Sequence, residues 1–156
     1  MGMKVQMQVG GKELKYDVHE QLFFDPEHVF DEIGKQAGQL AWWYSLLALK
    51  DEEAENFKVE MDARIAEIEL AARRDTDTLV SLYGKVTEAV IKAHVEQQVE
   101  VVGLKQKYSE LKRESGLLKA MTKGMDSRSV LLATAGSAQK AELEARLREI
   151  TGKAGS

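Results

Sequence analysis

The feature that most constrains this chain is a pattern of apolar residues recurring every three or four positions between residues 30 and 72. Eleven of its thirteen positions are apolar, and no proline interrupts it before the polar stretch 75–78. This period is typical of an amphipathic α-helix, and Asp25, Pro26 and Glu27 suit its N-terminus. The pattern predicts a helix over about 26–74, roughly 70 Å long at about 1.5 Å per residue.

A helix of this length cannot bury its apolar seam against itself, so it needs another long helix or another chain. A second long helix is predicted over about 99–147, with a candidate bend at 126–136, while residues 75–86 form a connection and Thr87 caps a helix over 88–98. In the second long helix, large apolar residues recur every seven positions, and small residues follow each of them by four. We predict that apolar residues of the two seams mediate oligomerisation: Leu111, Leu118, Met125, Leu132, Leu47, Met61, Ile65 and Ile68.

The first residues have a different period. Residues 3–9 alternate apolar and polar side chains, Gly10-Gly11 follow, and residues 12–18 alternate more loosely. Two such runs joined at Gly-Gly predict a β-hairpin. The predicted organisation is therefore a β-hairpin over 1–22, a helical domain over 23–150 and a flexible tail over 151–156. The fold class is all-α, with a long helical hairpin of coiled-coil character in an oligomer.

The composition argues against an enzyme and against a bound cofactor. There is no cysteine, and the three histidines, His19, His28 and His94, match no metal-ligand spacing. No glycine-rich phosphate loop follows a strand. A hydrolase built on the acidic cluster 51–55 is the enzymatic alternative, but consecutive helical residues point around the helix and do not converge. The apolar runs are too short for a membrane helix and no signal sequence opens the chain, which predicts a cytoplasmic protein without a membrane partner.

The charge is unevenly distributed along the chain. Residues 1–100 hold 11 Lys/Arg against 20 Asp/Glu, whereas residues 101–156 hold 11 against 6. Residues 101–156 contain cations spaced so that most share one helical stripe: Lys105, Lys112, Lys119, Lys123 and Arg128, with Arg113 on a neighbouring face. Such a stripe suits a phosphate backbone, but flanking charges of a coiled coil give the same spacing.

Trp43 is predicted to lie in the core. For Trp42 we predict one of three positions: under the hairpin, against another subunit, or stacked on bases.

Taken together, several segments resemble the UvsY recombination mediators of T-even phages and related phage proteins. The resemblance covers about residues 20–142 and rests on Phe23-Phe24-Asp25, Trp43, Arg73-Arg74, the block from Val86-Thr87-Glu88 onward, and Ser127-Arg128. It implies a small all-helical protein that forms a closed homo-oligomeric ring and binds single-stranded DNA. It also implies contacts with the phage recombinase and with the single-strand-binding protein, in whose place it helps to load the recombinase in DNA recombination and repair.

The chain departs from that family in two places. The N-terminal hairpin is not expected, and in the family's basic segment near the end of the first long helix Glu67 and Glu69 intervene. This departure shifts the expected DNA contact to 105–128. The predicted DNA-binding residues are Lys105, Lys112, Arg113, Lys119, Lys123 and Arg128, with Arg73 and Arg74 as secondary contacts.

The hypothesis is therefore a phage recombination mediator in the host cell cytoplasm. One alternative is a non-enzymatic coiled-coil structural or adaptor protein, such as a phage assembly factor, without DNA binding. The other is an inhibitor of a host factor that mimics nucleic acid with the acidic residues 50–77.

Overall fold

The computed structural model describes residues 2–154, and side chains through residue 152. Two strands, β1 (Lys4–Val9) and β2 (Lys12–Asp17), are followed by a short helix α1 (Val18–Leu22) and a 3-10 turn (Pro26–His28). Four helices complete the chain: α2 (Val29–Arg74), α3 (Thr76–Tyr83), α4 (Glu88–Glu96) and α5 (Val99–Ala154). The predicted helical class, with long helices and one N-terminal β-hairpin, is confirmed.

The hairpin forms where the period-two pattern predicts it. β1 and β2 are antiparallel, with a register from Lys4 opposite Asp17 to Val9 opposite Lys12. Gly10 and Gly11 occupy the turn with φ of 56° and 75°, a left-handed conformation that a side chain would strain. The alternation places Val5, Met7 and Val9 on the buried face.

The boundaries of the helices differ from the prediction in detail. Asp25 accepts a hydrogen bond from the N–H of Glu27 at 2.9 Å, but it caps the 3-10 turn, and the α-helix begins at Val29. The predicted connection 75–86 contains the helix α3, which Asp75 caps and Gly84 ends at φ 73°. Thr87 caps α4 as expected.

α5 is one continuous helix through residues 126–136, so the predicted bend is wrong. The helix also includes residues 151–154 of the predicted flexible tail, whereas residues 155–156 lie outside the described part of the chain.

The chain divides into two compact units, and α2 and α5 each contribute to both. Unit 1 consists of Met1–Ala48 and Leu117–Ser156. In its core, the buried face of the hairpin packs with Trp43 of α2 and with Leu118, Met121 and Met125 of α5. Tyr16 meets the Trp43 ring edge-on, with ring centroids 4.8 Å apart. A two-stranded hairpin is marginal in isolation, and this helical surface supplies the apolar contacts that it needs.

Unit 2 is Leu49–Gly116. Its core joins the end of α2 to α3, α4 and the start of α5, through Ile68, Ala72, Leu79, Ile91, Val95 and Val101. Leu79 is the buried residue of α3. Burial of this side chain accounts for the helix in a segment that was predicted to be a connection, since a short helix gains most of its stability from packing.

The apolar seams of the two long helices are largely covered within a single chain. The structure buries Leu118, Met125 and Leu132 in unit 1, and Leu111, Met61 and Ile68 in unit 2. Leu47 and Ile65 are half-buried. These eight residues were predicted to mediate oligomerisation, and their burial within one chain leaves little of their surface for a second subunit. Helix periodicity identifies an apolar face and cannot say which chain covers it.

Candidate nucleic-acid interface

Arg128, one of the predicted DNA contacts, lies in the core of unit 1. Its side chain is only 3% exposed. Nη2 lies 2.5 Å from Oε2 of Glu32 and also donates to the carbonyl oxygen of Phe23, while Nη1 donates to Oε1 of Gln36. A buried cation with these partners cannot reach a phosphate, so its assignment as a DNA contact is wrong. Arg128 instead pairs with Glu32, because a buried charge is costly unless it is paired.

Gln36 connects Arg128 to the backbone of α5. Its Nε2 donates to the carbonyl oxygen of Met125 at 2.9 Å and to the hydroxyl of Ser129 at 2.8 Å, while its Oε1 accepts from Arg128. Both ends of the buried amide are therefore satisfied. This network aligns α2 with α5 and gives Ser129, one of the small seam residues, a structural role.

The acidic cluster 51–55 in unit 2 is occupied by structural contacts. Lys50 is fully buried, and its Nζ lies 2.5 Å from Glu114 and 3.1 Å from Glu53. Asp51 accepts a hydrogen bond from the hydroxyl of Ser115. The carboxylates thus point to different partners around the helix, and they do not converge as the carboxylates of a hydrolase would.

Arg73, a predicted secondary contact, is held by two carboxylates. Its Nη1 and Nη2 donate to Glu88 at 2.5 and 2.7 Å, and Nη2 also donates to Glu69 at 2.6 Å. The hydrogen bonds from Arg73 lower the pKa of Glu88 below its ordinary value. Arg64 is held in the same way by Glu100 and Glu67. Arg74 is exposed, and within the described residues it has no ion pair.

The three predicted cations of α5 that lie in unit 2 are exposed but differ in their surroundings. Lys105 is 3.8 Å from Glu96 and Lys112 is 4.0 Å from Glu55, which are loose pairs at the limit of an ion pair. Arg113 lies in a shallow groove with Gln106, Ser109 and Glu110. The nearby carboxylates oppose the approach of a polyanion, but loose surface pairs open at little cost. The assignment of these three residues as DNA contacts therefore stays a prediction.

Lys119 and Lys123 form the most open cationic surface among the predicted residues of unit 1. Both are exposed, they are one turn apart, and neither makes an ion pair in the part of the chain that the structure describes. Between Leu117 and Ala141, Asp126 is the only acidic residue of α5. Because residues three, four and seven apart share a helix face, Lys119 and Lys123 lie on the same side of α5 as Asp126.

Asp126 brings an aromatic ring to this side. The hydroxyl of Tyr44 on α2 donates to Oδ2 of Asp126 at 2.7 Å, while the Tyr44 residue is 45% exposed. The hydrogen bond to Asp126 raises the pKa of the Tyr44 phenol above its ordinary value. We call Tyr44, Lys119 and Lys123 the Tyr44–lysine face. A half-exposed aromatic ring with unpaired cations beside it can stack on a base while the cations pair with phosphates.

Tyr44 was not among the predicted site residues, because it falls on the apolar seam of α2. The signal that could have identified it is its hydroxyl, which must reach a polar partner or solvent. Trp43 is buried as predicted, at 1% exposure, whereas Trp42 is 50% exposed and contacts the Trp43 ring edge-on. The hairpin therefore covers Trp43 but leaves Trp42 half exposed.

Other kinds of site find no support in the described part of the chain. No group of three or more His, Asp or Glu side chains is arranged to hold a metal ion among residues 2–152. None of the described helices has an apolar stretch long enough to cross a membrane. Comparisons with protein-family models, curated proteins and solved structures found no match for this chain.

Proposed function

We propose that this protein is a non-enzymatic recombination mediator that binds single-stranded DNA as a homo-oligomer and helps to load a recombinase in place of a single-strand-binding protein. The observation that carries the DNA-binding part is the Tyr44–lysine face. It combines an exposed ring with two lysines that make no ion pair in the described part of the chain, a combination suited to sequence-independent binding of single strands. The resemblance of residues 20–142 to the UvsY mediators supports the role in recombinase loading.

An oligomer would carry several copies of the Tyr44–lysine face, and together they would bind DNA more tightly than one copy does. Two lysines and one ring form a weak site, because each phosphate contact releases about one counterion and each stacked base contributes about 1–3 kcal/mol. Copies of the site in one assembly raise the effective concentration of DNA at each neighbouring site. Lys105, Lys112 and Arg113 add cations in unit 2.

Reversing both lysine charges is the direct test. We expect Lys119→Glu/Lys123→Glu to weaken oligo-dT binding by about one to two orders of magnitude at moderate salt. The slope of log K against log salt should fall by about 1.4, at about 0.7 per lost phosphate contact on a single strand. Fluorescence anisotropy over a salt series measures both quantities.

The matched control is Lys12→Glu/Lys35→Glu, which changes the net charge equally. Lys12 is on the hairpin and Lys35 on α2, and both are exposed. We expect a smaller loss from this variant, because it acts only through net charge. Equal losses from the two double variants would contradict the assignment of the site.

The ring of Tyr44 is tested separately. Tyr44→Ala should weaken oligo-dT binding by about fivefold to a hundredfold, the range for loss of one stacked base. Tyr44→Phe retains the ring and removes the hydroxyl that binds Asp126, so it should bind nearly as well as the wild-type protein. If Tyr44→Phe loses as much affinity as Tyr44→Ala, the hydrogen bond matters and stacking does not.

An adaptor protein without DNA binding is the second candidate, and one observation favours it. Unit 2 exposes several large apolar side chains: Leu70, Val80, Leu82, Val86, Val99 and Val102. Exposed apolar side chains of this kind are common where a protein docks on a partner. The adaptor would show no steep salt dependence in the oligo-dT titration, so the same measurement separates the two functions.

A further inference from the structure

The C-terminal part of α5 has an apolar stripe that no described residue of the chain covers. Gln139 donates to the carbonyl oxygen of Pro26 at 2.8 Å, next to the start of α2. Beyond it, every residue from 141 to 150 is exposed. Leu143, Leu147 and Ile150 lie on one side of this helix and are 52, 61 and 65% exposed. We call residues 140–152 the C-terminal segment.

The stripe continues one of the two seven-residue series of α5. Ser115, Thr122, Ser129 and Gly136 are small, and the next members of the same series are Leu143 and Ile150. At Gly136 the helices approach closely, since a Cβ there would lie 2.7 Å from Cδ1 of Ile33 and that side chain would have to shift. The series changes from small to large residues where contact with α2 ends. A helix of about 12–15 residues is marginal in water without packing, so large apolar side chains at these positions indicate a partner.

The charges beside the stripe favour a second copy of the segment as the partner. Glu144 and Arg148 border the stripe on one side, and Glu142 and Arg146 border it on the other. Arg146 and Glu142 pair within their own helix at 2.6 Å, and an exposed pair of this kind opens at little cost. In an antiparallel pair of identical helices, equivalent sides face each other. Glu144 then meets Arg148 of the second copy, and Glu142 meets Arg146. A parallel pair would instead bring Glu144 toward Gln139 and Arg146 toward Thr151, which are uncharged.

We propose that the C-terminal segment is a self-association element that pairs antiparallel with the same segment of a second copy. This inference rests on the homo-oligomer of the proposed function and moves its contact from the seams that α2 and α5 bury to Leu143, Leu147 and Ile150. The pair closes a two-fold contact, since the same surface is used by both copies.

Leu147→Glu tests the apolar contact. We expect it to weaken self-association of the full chain by about a hundredfold or more, because each copy loses one buried leucine and gains a charge there. Ala145→Glu is the control, because it adds the same charge on the opposite side of the helix. Sedimentation velocity over a range of protein concentrations measures the change. A wild-type chain that stays monomeric at every concentration, or equal behaviour of the two variants, would overturn the proposal.

A charge exchange tests the orientation. Glu144→Arg and Arg148→Glu each place like charges opposite one another in a homodimer, so each variant should associate weakly by itself. An equimolar mixture restores opposite charges across the pair, although each helix keeps its own unfavourable spacing of like charges. Association restored by mixing supports the antiparallel pair, and failure of the mixture to associate excludes it. Circular dichroism verifies that both variants remain helical.

The same samples separate this inference from the proposed DNA binding. A Leu147→Glu chain that is monomeric yet binds a short oligo-dT as the wild type does supports both assignments. Self-association without any affinity for oligo-dT would contradict the proposed function and leave the self-association element standing.

Discussion

Replacement of Arg128 by Ala is expected to lower the free energy of unfolding by about 3–5 kcal/mol, the range for breaking a buried ion pair by removing one partner. The variant leaves Glu32 without its cation in a mostly buried position, 2.5 Å from where the guanidinium had been. It also removes the donor to the Gln36 amide and to the carbonyl oxygen of Phe23. Urea titration followed by circular dichroism measures the loss.

Two further variants make this result specific. Arg113→Ala removes an exposed arginine of the same helix and should change stability by less than about 0.5 kcal/mol. Arg128→Met together with Glu32→Gln removes both charges and should recover part of the stability, because the unpaired buried charge is then absent. Unfolding of Arg128→Ala at the same urea concentration as the wild-type protein would contradict the structural role of the buried network.

Replacement of Trp43 by Ala is expected to cost about 3–5 kcal/mol, as is typical of a large aromatic side chain removed from a core. Trp43 is 1% exposed and joins the hairpin to both long helices within unit 1. The hairpin depends on this contact, because two strands are marginal in isolation. We therefore expect hydrogen exchange to accelerate in β1 and β2 before it does in the α2 part of the unit.

Trp42→Ala is the matched control, since Trp42 precedes Trp43 and is half exposed. Its loss should cost about 1 kcal/mol or less, as for a surface side chain with few partners. Thermal unfolding measured by circular dichroism compares the two variants. Similar melting temperatures for both would mean that the hairpin does not depend on Trp43.

The local elements were predictable because their signals are local. The alternation in residues 3–9 and the Gly10-Gly11 turn specify the hairpin, and the apolar period specifies α2 over almost its whole length. The helix α3 was missed because its sequence, TDTLVSLY, is short and polar at its start. Its helical state depends on burial of Leu79 against side chains of the neighbouring helices α2, α4 and α5.

The candidate site was only partly predictable. Lys119, Lys123 and Arg128 have the same chemistry and nearly the same spacing, and all three were assigned to DNA. The structure separates them, since Arg128 is buried against Glu32 and Gln36 of α2 while the two lysines are exposed. Tyr44 lies on the apolar seam of α2, and its hydrogen bond to Asp126 became evident only in the structure.

Most elements therefore follow from the sequence: the hairpin, the two long helices, and which side of each long helix is apolar. What covers those sides depends on the tertiary structure, in which Leu118 and Met125 are core while Leu143 and Ile150, members of the other seven-residue series of α5, are exposed. The physical reason is that helix and strand periods follow from interactions between near neighbours. Burial and charge neutralisation depend instead on residues about 90 positions away, as Gln36 and Arg128 are.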